Sequence, residues 1–73
     1  MLRLWRLDRA GEAVAVLAPA AARFTQHERI RFELGRAYYQ LDRLAEAEIE
    51  LKRAPSMEEA RKLLEKVQRQ KER

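Results

Sequence analysis

Apolar residues along this chain recur at three- and four-residue steps, and no stretch alternates long enough to make a strand. Leu4 and Leu7 mark one side of a short helix over residues 2–8. Asp8 to Gly11 reads as a turn, because glycine relaxes the backbone there. A second helix is expected from about Gly11 to Phe24, with Ala13, Val14, Val16, Leu17, Ala20 and Ala21 near the 3.6-residue period. Pro19 lies inside it, lacks an N–H and crowds the carbonyl of Ala15, so a kink or break is expected near residues 15–19. Thr25 and Glu28 have the spacing of a capping box and open a helix over 26–41, carried by Ile30, Leu34, Ala37, Tyr38 and Leu41. Gly35 sits in mid-helix at a cost of about 1 kcal/mol against alanine, a cost that close packing by another helix explains. Asp42 and Arg43 turn the chain into a helix over 44–54, with Leu44, Ala47, Leu51 and Ala54 inward. Ser56 and Glu59 form a second capping box for a fifth helix carrying Met57, Ala60, Leu63, Leu64 and Val67. Beyond Val67 the chain is polar and expected to fray.

A second order lies above these elements. Leu7-Asp8-Arg9 returns as Leu41-Asp42-Arg43 at a spacing of 34 residues. At the same offset Glu12 matches Glu46, Ala13 matches Ala47, Leu17 matches Leu51 and Ala20 matches Ala54. A fixed period of this length is the mark of stacked helix–turn–helix repeats. Leu34-Gly35-x-x-Tyr38, followed by Ala47-x-x-x-Leu51 and Ala54, resembles the tetratricopeptide repeat (TPR). Gly35 and Ala47 would let paired helices approach, and Tyr38 and Leu51 would fill the space between them.

The resemblance covers residues 2–54 and implies an all-α fold, a TPR-like right-handed array of helical hairpins with about five helices. The chain then divides into a truncated first repeat over 2–24, a second over 26–54 and a capping helix over 56–70, all in one domain. Arg31 stands where the family prefers Trp, Thr25 and Glu59 where Pro often closes a repeat, and Leu4 where the first copy would have Tyr. Gln68 and Arg69 occupy the Leu-Gly places of a third copy, so the last helix reads as a cap.

TPR modules bind proteins, and the first helix of each pair lines a concave groove. Carried onto this chain, the groove takes Leu2, Trp5 and Arg6, then Arg29, Phe32, Arg36, Tyr39 and Gln40. Three arginines and three aromatic residues suit an acidic or aromatic peptide, because arginine pairs carboxylates bidentately and rings supply rigid contact area. An alternative reading stays open, in which Trp5 and Phe32 are oligomer core and the arginines pair with Glu28, Glu33 and Glu46. Asparagine, with which some TPR domains grip a terminal carboxylate, is absent, so that specificity does not carry over. Repeat arrays generally need about three units to bury a continuous core. The N-terminal end, with Leu2, Leu4, Trp5 and Leu7, is left uncovered. Self-association, docking on another protein and membership of a longer array would each cover it, and a homo-oligomer is the expectation.

The bulk numbers narrow the alternatives. The chain has 73 residues and no cysteine, so it has one small core and neither disulfide nor thiolate metal site to reinforce it. A cytoplasmic protein fits that composition. The net charge is +4, spread as +2, 0 and +2 over residues 1–27, 28–55 and 56–73. Arg61, Lys62, Lys66, Arg69, Lys71 and Arg73 make a basic nucleic-acid-binding helix the alternative function, but Glu58, Glu59, Glu65 and Glu72 interrupt them. No run of 18 apolar residues spans a membrane. His27 is the single histidine, which leaves no metal set or His-based catalytic constellation. The two glycines are 24 residues apart and form no phosphate loop. Glu46 and Glu50 read as solvent-face charge. Neither an enzyme nor a cofactor is expected.

Overall fold

The computed structural model describes the backbone of residues 2–72, with side chains described from Arg9 to Glu72. Four helices follow one another: α1 (Leu2–Arg23), α2 (Glu28–Gln40), α3 (Leu44–Lys52) and α4 (Glu58–Lys71). The described residues contain no strand.

Four helices replace the expected five because the chain does not turn at Asp8–Gly11. Asp42 is the one described residue with positive φ, at 63°, and neither Asp8 nor Gly11 leaves the helical region. Gly11 carries only the mid-helix cost of about 1 kcal/mol, small beside the propensity of the Leu, Arg, Ala and Glu around it. Pro19 does not break α1 either. Pro19 and Ala15 are both exposed, so water can take up the carbonyl that the missing N–H leaves without a partner.

The second turn behaves as expected. The Leu41 amide donates to the carbonyls of Ala37 and Tyr38, and the Arg43 amide returns to Tyr38 at 2.9 Å. Asp42 accepts the left-handed conformation that this closure needs, a conformation aspartate tolerates better than most residues.

Both predicted capping boxes are replaced. α2 starts at Glu28, and the N-cap is His27, whose Nδ1 accepts from the Ile30 amide at 3.4 Å. α4 starts at Glu58 behind Met57, with no side-chain cap. Ser56 turns instead to Glu28: its amide and its hydroxyl both donate to Glu28 Oε1, at 3.0 and 2.6 Å. The two would-be capping residues therefore tie the start of α2 to the start of α4.

Packing is sequential. α1 touches α2, α2 touches α3 and α3 touches α4, while α2 also reaches α4. The core lies on the α2–α3–α4 side, built from Phe32, Ala47, Leu51, Ala54, Ala60 and Val67. Tyr38, Tyr39, Leu44, Met57, Leu63 and Leu64 pack around it. Gly35 explains the close approach of α2 and α3. A Cβ built there would stand 2.8 Å from Leu51 Cγ and 3.3 Å from the Ala47 carbonyl oxygen. On the other side of α2, Ala10 and Ala21 of α1 are buried, three helical turns apart and so on one face.

Candidate protein-interaction face

Among the described residues α2 is the one helix with three helical neighbours, and one stripe of it stays open. Arg29, Glu33, Arg36 and Gln40 stand at steps of four, three and four residues, which places them on one side. Arg29, Arg36 and Gln40 are exposed. Arg29 Nε lies 3.4 Å from Glu33 Oε2, an exposed pair one turn apart. Its own stability value is small, of the order of 0.3–0.5 kcal/mol. The open stripe is thus a row of guanidinium, carboxylate, guanidinium and amide groups.

The aromatic part of the predicted groove is placed differently. Phe32 is 8% exposed and belongs to the core. Tyr39 is half-buried, and its hydroxyl accepts from Gln70 Nε2 at 2.8 Å, across to α4. The two rings lie on the flank of α2 that meets α4, beside the charged stripe and not in it. The structure therefore brings Arg29, Arg36 and Gln40 together and draws Phe32 and Tyr39 aside. The side chains of Trp5 and Arg6 lie outside the described residues. Two of the three proposed acidic partners are otherwise occupied: Glu28 holds Ser56, and Glu46 sits 3.7 Å from Arg43.

Arg31, whose partners the sequence did not reveal, makes three hydrogen bonds to three different segments. It is 6% exposed. Its Nη1 donates to Glu50 Oε1 at 2.8 Å, its Nη2 to the Ala21 carbonyl at 3.1 Å, and its Nε to the Thr25 carbonyl at 3.4 Å. One guanidinium thereby joins the last turn of α1, the loop after it and α3. Glu50 is turned inward by this bond, with 15% side-chain exposure, and is not the solvent-face charge expected. A signal existed: Glu50 falls on the inward stripe Ala47–Leu51–Ala54, and Arg31 occupies the Trp place of the pattern. No described buried polar side-chain atom lacks a hydrogen-bond partner.

Three ionisable groups are displaced from their usual range. Glu28 is held below the ordinary carboxylate value of 4.5 by the Ser56 hydroxyl first, then by the Ser56 amide. Glu48 is also lowered, chiefly by Lys71, whose Nζ stands 2.6 Å from its Oε1, with Gln68 and Lys52 assisting. Tyr38 is raised above 10.0 by burial, then by the negative charges of Glu46 and Glu50. All three groups are explained by contacts that hold helices together. Among the described residues no group of three His, Cys, Asp or Glu side chains could hold a metal ion. No helix among them is long and apolar enough to cross a membrane.

The Tetratricopeptide repeat family model matches residues 4–58. No curated protein and no solved structure gave a match. The matched span contains both Leu-Asp-Arg segments and the whole Gly35–Ala54 hairpin, and it covers most of the chain. The chain belongs to the tetratricopeptide-repeat family of protein-interaction modules.

Proposed function

We propose that this protein binds an acidic segment of a partner along α2 and self-associates through its N-terminal side. The observation that carries the first part is the open stripe of Arg29, Glu33, Arg36 and Gln40 on the central helix. Among the described residues Arg36 makes no ion pair, so its fork can take a carboxylate without first breaking a bond. Arg29 can exchange Glu33 for a ligand carboxylate at little cost, since exposed pairs are weak. Gln40 adds an amide that both donates and accepts. Phe32 and Tyr39 lie on the neighbouring flank of α2, beside the stripe, and are not themselves the contact surface.

The test is fluorescence anisotropy of a labelled Asp/Glu-rich peptide, with an uncharged peptide of equal length as control. The reading expects salt-sensitive binding of the acidic peptide only, lost more than about tenfold in Arg29→Glu/Arg36→Glu, equivalent to about 1.4 kcal/mol or more. Equal affinity of the double variant, or of the uncharged peptide, refutes it. A gel-shift titration at two salt concentrations should show no nucleic-acid complex at moderate salt.

A further inference from the structure

Ala13, Leu17 and Ala20 of α1 are the repeat partners of Ala47 and Leu51 of α3 and of Ala54 just after it. The α3 set is sealed from water, at 0, 1 and 0% exposure, because α2 and α4 both pack against that region. The α1 set is only half-buried, and among the described residues α1 touches α2 alone. The residue types are identical, so what α1 lacks is a second helix.

The open side of α1 can be located from the helix geometry. Ala10 and Ala21 define the direction of α2. At 3.6 residues per turn, Ala13, Val16 and Ala20 lie about 60 to 120° round from that line, all on one side. Val16, at the centre, is 70% exposed. Glu12 and Arg23 border the strip at its two ends, Glu12 one turn before Val16 and Arg23 three residues after Ala20. An apolar helix face that meets only one neighbour is the pattern of a helix with a missing partner.

We infer that the occupant is α1 of a second copy of this chain, docked antiparallel about a two-fold axis, with Glu12 of each protomer against Arg23 of the other. Three observations select it. Antiparallel pairing sets both Glu12–Arg23 couples in register, whereas parallel pairing sets Glu12 on Glu12 and Arg23 on Arg23. At the opposite end α4 exposes Arg61, Lys62, Glu65, Lys66 and Arg69, and the large hydrophobics described as exposed outside α1 are Phe24 and Ile49, neither of them on α4. Head-to-tail stacking would bury those charges against an apolar strip, and a self-complementary patch closes as a dimer. Pro19 stands on the far side of α1 from α2 and clear of the centre of the strip, so it does not obstruct a neighbour.

This inference rests on the self-association proposed above and adds its surface. The experiment is sedimentation of the full chain over a concentration series, with circular dichroism to verify folding of each variant. The wild type is expected to dimerise. Val16→Asp should weaken the dimer more than about tenfold, since it places a charge at a buried apolar centre. Glu12→Arg and Arg23→Glu should each weaken it about three- to tenfold, as two symmetric attractions become repulsions. The double variant Glu12→Arg/Arg23→Glu, and an equimolar mixture of the two single variants, should regain near wild-type association. A wild-type dimer indifferent to Val16→Asp and to the charge exchanges overturns this surface and leaves self-association standing. A wild type that remains monomeric throughout overturns both.

Discussion

Leu17 and Leu51 occupy the same place in the two copies of the repeat, yet Leu51 is sealed and Leu17 is only partly buried. The contrast extends to the turns. Leu41-Asp42-Arg43 bends back on itself between two helices that touch, while Asp8 and Arg9 run straight inside α1. Near-identical local sequence thus gives two outcomes, and neighbours decide which. In the second copy the α2–α3 contact at Gly35 and Leu51 rewards the left-handed residue at Asp42. In the first copy no contact of that kind is present among the described residues, and the continuous helix prevails. Tertiary packing, more than propensity, fixes where such a helix ends.

The comparison can be broken at its link. Arg31 is the one described side chain bonded to α1, to the loop after it and to α3. Arg31→Ala leaves Glu50 partly buried without its cation and should cost about 3–5 kcal/mol. A domain of this size has roughly that much to lose, so the chain should be largely unfolded by thermal melt at pH 7.

Truncating the matched leucines measures the contrast itself. Leu51→Ala should cost about 2–5 kcal/mol in urea unfolding. Leu17→Ala should cost less, about 1–2 kcal/mol, because its side chain is only partly buried. Equal costs would mean that α1 is as well covered as α3.

The two glycines should respond with opposite signs. Gly35→Ala drives a Cβ into Leu51 and the Ala47 carbonyl, an overpacking expected to cost about 1–3 kcal/mol. Gly11→Ala meets nothing within 4 Å and gains helix propensity, so it should stabilise by about 0.5–1 kcal/mol. Destabilisation by Gly11→Ala would point to a turn at Gly11 after all.

Acid should loosen the second copy first, and gently. Glu28 and Glu48 have folded pKa values below their unfolded value of 4.5. Their contribution is present above pH 4.5 and lost as pH falls through the lower folded values. Both carboxylates tie α2 or α3 to the α4 region, so the loss concerns that end and not α1. Ser56→Ala should shrink the acid-limb difference in melting temperature. An acid limb unchanged by that variant would remove Glu28 from the account.

Much of this was legible in the sequence. The all-α class, the repeat period, the hairpin at Asp42 and the inward set Ala47, Leu51 and Ala54 follow from spacing alone, since helical periodicity reports which face is buried. The Asp8–Gly11 turn was misread because a motif that turns in one copy carries no information about the contact that makes it turn. The capping boxes at Thr25 and Ser56 were misread for a similar reason: Glu28 found Ser56, 28 residues away, in place of a local amide. The groove residues came from the family pattern. Phe32 and Tyr39 stand on α2, and α4 meets that helix on their flank, a contact the pattern does not carry. Arg31 joins carbonyls 6 and 10 residues before it to a carboxylate 19 residues after it, a convergence that appears only once the helices are packed.

The most direct measurement of the central claim is amide hydrogen exchange, resolved by residue, at low and high protein concentration. Amides of α3 are expected to be strongly protected at both, while residues 13–20 of α1 are weakly protected when dilute and gain protection as the concentration rises. Protection of α1 equal to that of α3 at the lowest concentration would contradict it, because a helix with one neighbour would then be as closed as a helix with two.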